Sequence, residues 1–194
     1  AGAICPDPLG ATLGAPAGGR LPFLTARTGI LLYSGGNRPT ADYPAVTTKP
    51  LFDPTTPTQT TLSLWEGMAA VGVLMMTADE DTAPAEKEQL VAFLQQQGVP
   101  QATAAAAIHK ALHLCAQEGV AALGSAACRA LAQTNQAELA IQLAVRMALA
   151  DGFVLLEENT MLLELARALG VNDSRLEQII QTELQRDERF RPPE

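Results

Sequence analysis

Val71-Gly72-Val73-Leu74-Met75-Met76-Thr77-Ala78-Asp79 is followed by Glu86 and then by Gly98-Val99. Leu143-Ala144-Val145-Arg146-Met147-Ala148-Leu149-Ala150-Asp151 is followed by Glu158 and then by Gly170-Val171. The two stretches lie 72 positions apart and share the pattern Met-x-x-Ala-Asp-x6-Glu-x11-Gly-Val. Recurrence on this scale predicts a duplicated helical unit. The match continues outside the motif: Leu90 with Leu162, Phe93 with Leu165, Ile108 with Ile180, and Leu112 with Leu184. The predicted unit is helix, acidic loop, helix, Gly-Val turn, helix, over about 64–112 and again over 136–184. Two such units joined through a middle helix make one compact bundle.

Working outward, a helical period sets in at Leu62. Seven helices are predicted, at roughly 62–78, 83–97, 100–117, 119–132, 135–150, 155–169 and 173–189. Thr82 followed by Pro84 reads as a cap and a first-turn proline. Gly98 and Gly170 stand where helix-ending glycines belong. Ser174-Arg175-Leu176-Glu177 fits a capping box, and the formal sequon Asn172-Asp173-Ser174 reads as a helix cap. Met68, Met75, Met76 and Met147 are expected in the core, and Trp65 is expected to hold the start of the first helix against the bundle.

Residues 1–61 differ in kind from 62–194. They hold eight glycines and nine prolines, which block helices and long central strands. The reading is an extended, irregular N-terminal arm with apolar islands at Leu21 to Leu24, Gly29 to Tyr33 and Leu51-Phe52. These islands are expected to anchor on a protein partner or on the chain's own bundle. The chain's net charge is −8, yet four basic and three acidic residues give the arm +1, so the helical body carries −9. Such an acidic body excludes nucleic-acid backbone as a partner and suits cations or a basic protein surface. Hydrophobic residues make up 47% and aromatics only 4%, so the core must be aliphatic.

In each unit an Asp ends one helix and a Glu begins the next. Asp79, Asp81 and Glu86, with Glu80 beside them, form the first acidic corner. Asp151, Glu157 and Glu158 form the second. Clustered carboxylates are raw material for a hard-cation site, because Ca²⁺ and other hard divalent cations take oxygen ligands. The competing reading is structural: an acid in a helix's first turn gains about 0.3–1 kcal/mol from the helix dipole. The dipole does not by itself account for the same Asp-to-Glu spacing in both copies.

Met147-Ala148-Leu149-Ala150-Asp151-Gly152-Phe153-Val154, then Glu158 and Leu165 to Val171, resembles the TerB (tellurite-resistance) family. The likeness covers about residues 64–185. It implies an all-α, seven-helix, pseudo-symmetric domain with an acidic surface for divalent cations. It also implies membership of stress-response or membrane-associated complexes. Carried over by residue, Asp79, Glu86, Asp151 and Glu158 are the candidate functional acids. Glu80 departs from the pattern where Gly152 keeps the glycine, and Val154-Leu155 replace a polar helix start.

Other constellations are poorer. His109 and His113 are spaced to grip Zn²⁺, but Lys110 stands where a metalloprotease needs Glu. A structural or surface role is therefore expected for both, with His113 at a core-like position. No Gly-x-Ser-x-Gly elbow and no phosphate loop occur. Cys5, Cys115 and Cys128 lack metal spacing and read as reduced cytosolic thiols. No apolar run is long enough to span a membrane, and no signal-peptide core is visible. The sequence thus points to a non-enzymatic binding or adaptor subunit, cytoplasmic or peripheral to a membrane complex. Its protein partner would meet the arm and the acidic surface, with Ca²⁺ or another divalent cation at the corners. The alternatives are a purely structural subunit without metal and, last, a metal-dependent enzyme.

Overall fold

The computed structural model describes residues 21–22, 50–55, 60–78, 84–150, 153–154 and 156–186. Among them are seven helices: α1 Leu64–Met76, α2 Pro84–Gln96, α3 Gln101–Glu118, α4 Val120–Thr134, α5 Ala137–Ala148, α6 Leu156–Ala168 and α7 Asp173–Arg186. Among the described residues the one strand pairing is a two-residue antiparallel match of Leu21–Pro22 with Phe153–Val154.

Helix α1 explains the architecture. Every residue from Gly67 to Met76 is uncharged and buried. A helix that is apolar on all sides must lie at the centre, and α1 is flanked by α2, α3, α4, α5 and α6. Its start is fixed by a reciprocal cap. The Ser63 N–H donates to Glu66 Oε2 at 2.7 Å, and the Glu66 N–H donates to Ser63 Oγ at 3.4 Å. This Ser-x-x-Glu cap moves the helix start from the predicted Leu62 to Leu64.

The repeat is visible as hydrogen bonding in one register. Thr77 N–H donates to Val73 O and Leu149 N–H to Val145 O, both at 3.0 Å. Gly98 and Gly170 adopt φ of +83° and +73°, the left-handed region where a Cβ is costly. Val99 N–H then reaches back to Leu94 O at 3.1 Å, and Val171 N–H to Ala166 O at 2.9 Å. These six-to-one bonds close both helices in the same motif and tuck Val99 and Val171 inward. The four methionines expected in the core are there, as are Leu90, Leu162, Phe93, Leu165, Ile108 and Ile180. Trp65 packs half-buried against them.

Two local expectations are corrected. The cap of α7 is Asn172, whose Oδ1 accepts from Arg175 N–H at 2.9 Å. The helix begins a residue before Ser174, so Ser174 cannot cap it. His113 is exposed. The core-facing positions of that turn are Ala111 and Leu114, and His113 falls on the opposite side of the helix from them.

The Leu51-Phe52 island belongs to the bundle itself. Phe52 is fully buried over Gly124 of α4, where any Cβ would overlap its ring. Three polar contacts hold the flanking backbone: Leu51 N–H to Glu164 Oε2 at 2.9 Å, Asp53 N–H to Ser125 Oγ at 3.1 Å, and Arg129 Nε to Pro54 O at 3.0 Å. Burying a side chain of this size contributes roughly 1.5–3 kcal/mol, so this anchor serves the chain's own fold. No helix among the described residues is long and apolar enough to cross a membrane.

Candidate functional site

The acidic corners lie between α1 and α2 and between α5 and α6. Asp79, Asp81 and Asp151 lie outside the described residues. Glu86 and Glu158 take equivalent places in the first turns of α2 and α6. Both are buried, at 4% and 6% relative exposure, whereas Glu157 beside Glu158 is exposed. A first-turn glutamate that serves only the dipole can stay in water. These two are drawn inside, where a carboxylate must have partners, and neither is left unsatisfied. Among the described residues no three His, Cys, Asp or Glu side chains converge as a metal-ligating group.

A second polar centre has no counterpart in the sequence reading. Arg146 of α5 donates from Nε to Glu183 Oε2 of α7 at 2.7 Å and from Nη1 to Gln96 Oε1 of α2 at 3.1 Å. Its guanidinium lies 5.1 Å from the Phe93 ring centroid, within cation–π range. Its backbone carbonyl accepts from Gln89 Nε2 at 3.0 Å, and the other oxygen of Glu183 accepts from Arg186 Nη1 at 2.8 Å. Glu183 is buried at 3% relative exposure. This cluster ties the second helix of the first unit to the first and third helices of the second. Its partners are 37 and 50 positions apart, so no local spacing announced it.

Between α6 and α7 lies a cleft of about 410 Å³. Its floor is aliphatic (Leu163, Ala166, Val171, Leu176 and Ile180), and Arg167, Asp173 and Glu177 stand among its lining. Burial makes the two described thiols, Cys115 and Cys128, poor nucleophiles. Burial pushes Cys128 up to about 12. Burial also raises Cys115, partly offset by a hydrogen bond with Thr77.

Residues 66–181 match the family model for tellurite resistance protein TerB. The chain belongs to the TerB family. No curated protein and no solved structure matches it. The TerB match runs from the first turn of α1 into α7, so it covers both acidic corners, the middle helix α4 and Arg146. Phe52 and Glu183 fall outside it. The seven-helix architecture is therefore that of the TerB domain, and the strap at Leu51-Phe52 precedes the matched region.

Proposed function

We propose that this TerB domain is a non-enzymatic binding module, a subunit or adaptor in a larger assembly, whose acidic corners take a divalent cation. The observation that carries the proposal is the burial of Glu86 and Glu158 in one register at two corners already rich in carboxylates. A hard cation at such a corner would be held by Asp79, Asp81 and Glu86, or by Asp151, Glu157 and Glu158, through oxygen ligands. Binding there would set the angle between the helices that meet at the corner and present an ordered acidic surface to a protein partner. A place in the cytoplasm, at the edge of a membrane complex, belongs to the same proposal.

Calorimetric titration with Ca²⁺ and Mn²⁺ tests this reading. Saturable heat is expected, with a rise in Tm that grows with cation concentration, since a ligand of the native state stabilises by RT ln(1 + [L]/Kd). The Asp79→Asn/Glu86→Gln variant should lose the first site. No heat, and a Tm that ignores cation in both proteins, would end the cation reading. A second reading has its own support: both buried glutamates already have partners within the fold. On that reading the acids only close the helix corners, and the double variant lowers Tm by the same amount with or without cation.

A further inference from the structure

We propose that His109 and His113 form a two-histidine chelate for a borderline divalent transition metal on the open face of α3. The chain has only these two histidines, and both are exposed on one 18-residue helix. Four residues apart, they project from one face with Cβ atoms about 5–6 Å apart, a spacing from which two imidazoles on a helix can grip one Zn²⁺. Neither ring has a hydrogen-bond or ionic partner among the described residues, so a metal displaces no protein contact.

The neighbourhood suits the site. Lys110, the one cation between the two rings, is turned to Glu66 on α1 at 2.8 Å. Ala105, Ala106 and Ala116, each within one turn of a histidine along α3, are exposed and bring no charge to this face. Cys115 is half-buried and bonded to Thr77, away from the exposed strip. Neutral imidazole favours Zn²⁺, Ni²⁺ and Cu²⁺ over the hard cations expected at carboxylate corners. The site is therefore separate from the acidic corners, and its fate is independent of theirs.

The test is calorimetric titration of the full chain with NiCl₂, accompanied by proton NMR of the imidazole signals, which in this chain arise from these two rings alone. Saturable binding with paramagnetic broadening of both rings is expected. His113→Gln should weaken binding roughly 100-fold, the low end of what an intramolecular second contact adds. Adding Ala105→His to His113→Gln rebuilds a four-residue spacing with His109 and should restore affinity. Adding Ala102→His instead places the second ring about 10 Å away along the helix and should not. One ion per chain, or one shared between two chains, both support the site. Circular dichroism establishes that each variant is folded. Absence of Ni²⁺ binding in the parent, affinity unchanged by His113→Gln, or equal rescue by both added histidines would overturn the proposal.

Discussion

The two units share a register and use it differently. Where α1 carries Leu74, α5 carries Arg146; where α3 carries Ala111, α7 carries the buried Glu183. Leu94 and Ala104 of the first unit become Ala166 and Leu176 in the second. Helix α2 packs on α3, whereas a cleft of about 410 Å³ opens between α6 and α7. The backbone motifs, meaning the helix ends, the Gly-Val turns and the buried first-turn glutamates, stayed the same. Duplication thus holds on to what closes helices and releases what fills the space between them. The unit with the central, wholly apolar helix is close-packed, and the peripheral one substitutes an ion pair and tolerates a gap.

The ion pair is the place to break this comparison hardest. Arg146→Ala leaves Glu183 buried beside only the more exposed Arg186. Removing one partner of a buried pair costs ~3–5 kcal/mol. Because Arg146 is 26% exposed, about 3 kcal/mol is expected by urea unfolding, at the lower end of that range. Arg146→Leu/Glu183→Ala installs the residues of the first unit, Leu74 and Ala111, at both positions. It should return stability to within ~1 kcal/mol of the parent, since apolar replacement of a buried pair is often neutral. A double variant as unstable as the single one would show that the second unit cannot accept the first unit's solution.

A smaller effect sharpens the same contrast at the helix crossing. Gly72 of α1 corresponds to Ala144 of α5, and both are fully buried. A Cβ at Gly72 would come within 3.0 Å of Leu90 Cγ and closer still to its methyl groups. Overpacking costs ~1–3 kcal/mol, against a gain of up to ~1 kcal/mol from helix propensity. Gly72→Ala is expected to destabilise by about 1 kcal/mol on balance. Ala144→Gly should lose about 1 kcal/mol through propensity and roughly 0.8 kcal/mol more for the buried methyl it removes. If Gly72→Ala proved stabilising in thermal unfolding, α1 and α2 would not be the tighter pair.

Most of the fold was legible because it is written at short range. The 72-residue recurrence, the positive-φ glycines and the apolar periodicity placed all seven helices within a few residues of their ends. The acidic corners were legible as a pattern, and the burial of Glu86 and Glu158 was not. A first-turn glutamate reads the same in sequence whether it points to water or to the core. Arg146 with Glu183 was missed because it is a long-range pair whose members each sit on an ordinary amphipathic helix. His113 was misplaced through its neighbours Leu112 and Leu114, of which only Leu114 is buried. Phe52 was found as an anchor, but its receptor is an absence of side chain at Gly124, which no pattern advertises.

The subtlest difference between the units is electrostatic and separates under acid. Glu66 and Glu138 are equivalent first-turn glutamates, and each bridges to the third helix of its unit. Glu66 meets Lys110 at 2.8 Å and Glu138 meets Arg175 at 2.6 Å, although Lys110 and Arg175 occupy non-equivalent positions. Burial pushes the Glu66 carboxyl up, but hydrogen bonds from Lys110 and Ser63 outweigh it and hold the group below its usual 4.5. The Arg175 guanidinium lowers Glu138 with almost no burial opposing it. A depressed carboxylate adds stability above its unfolded pKa and loses it as pH falls through the folded one. The parent should therefore lose stability below about pH 4.5, and Glu66→Gln and Glu138→Gln should each flatten that loss. In 1 M salt, where the Debye length falls to ~3 Å, the exposed Glu138–Arg175 pair should lose much of its contribution, while that of Glu66, tied also to its helix cap, persists. Urea unfolding from pH 6 to pH 3 at low and high salt reads both. Identical salt sensitivity of the two variants would mean that the cap adds nothing to the first unit's bridge.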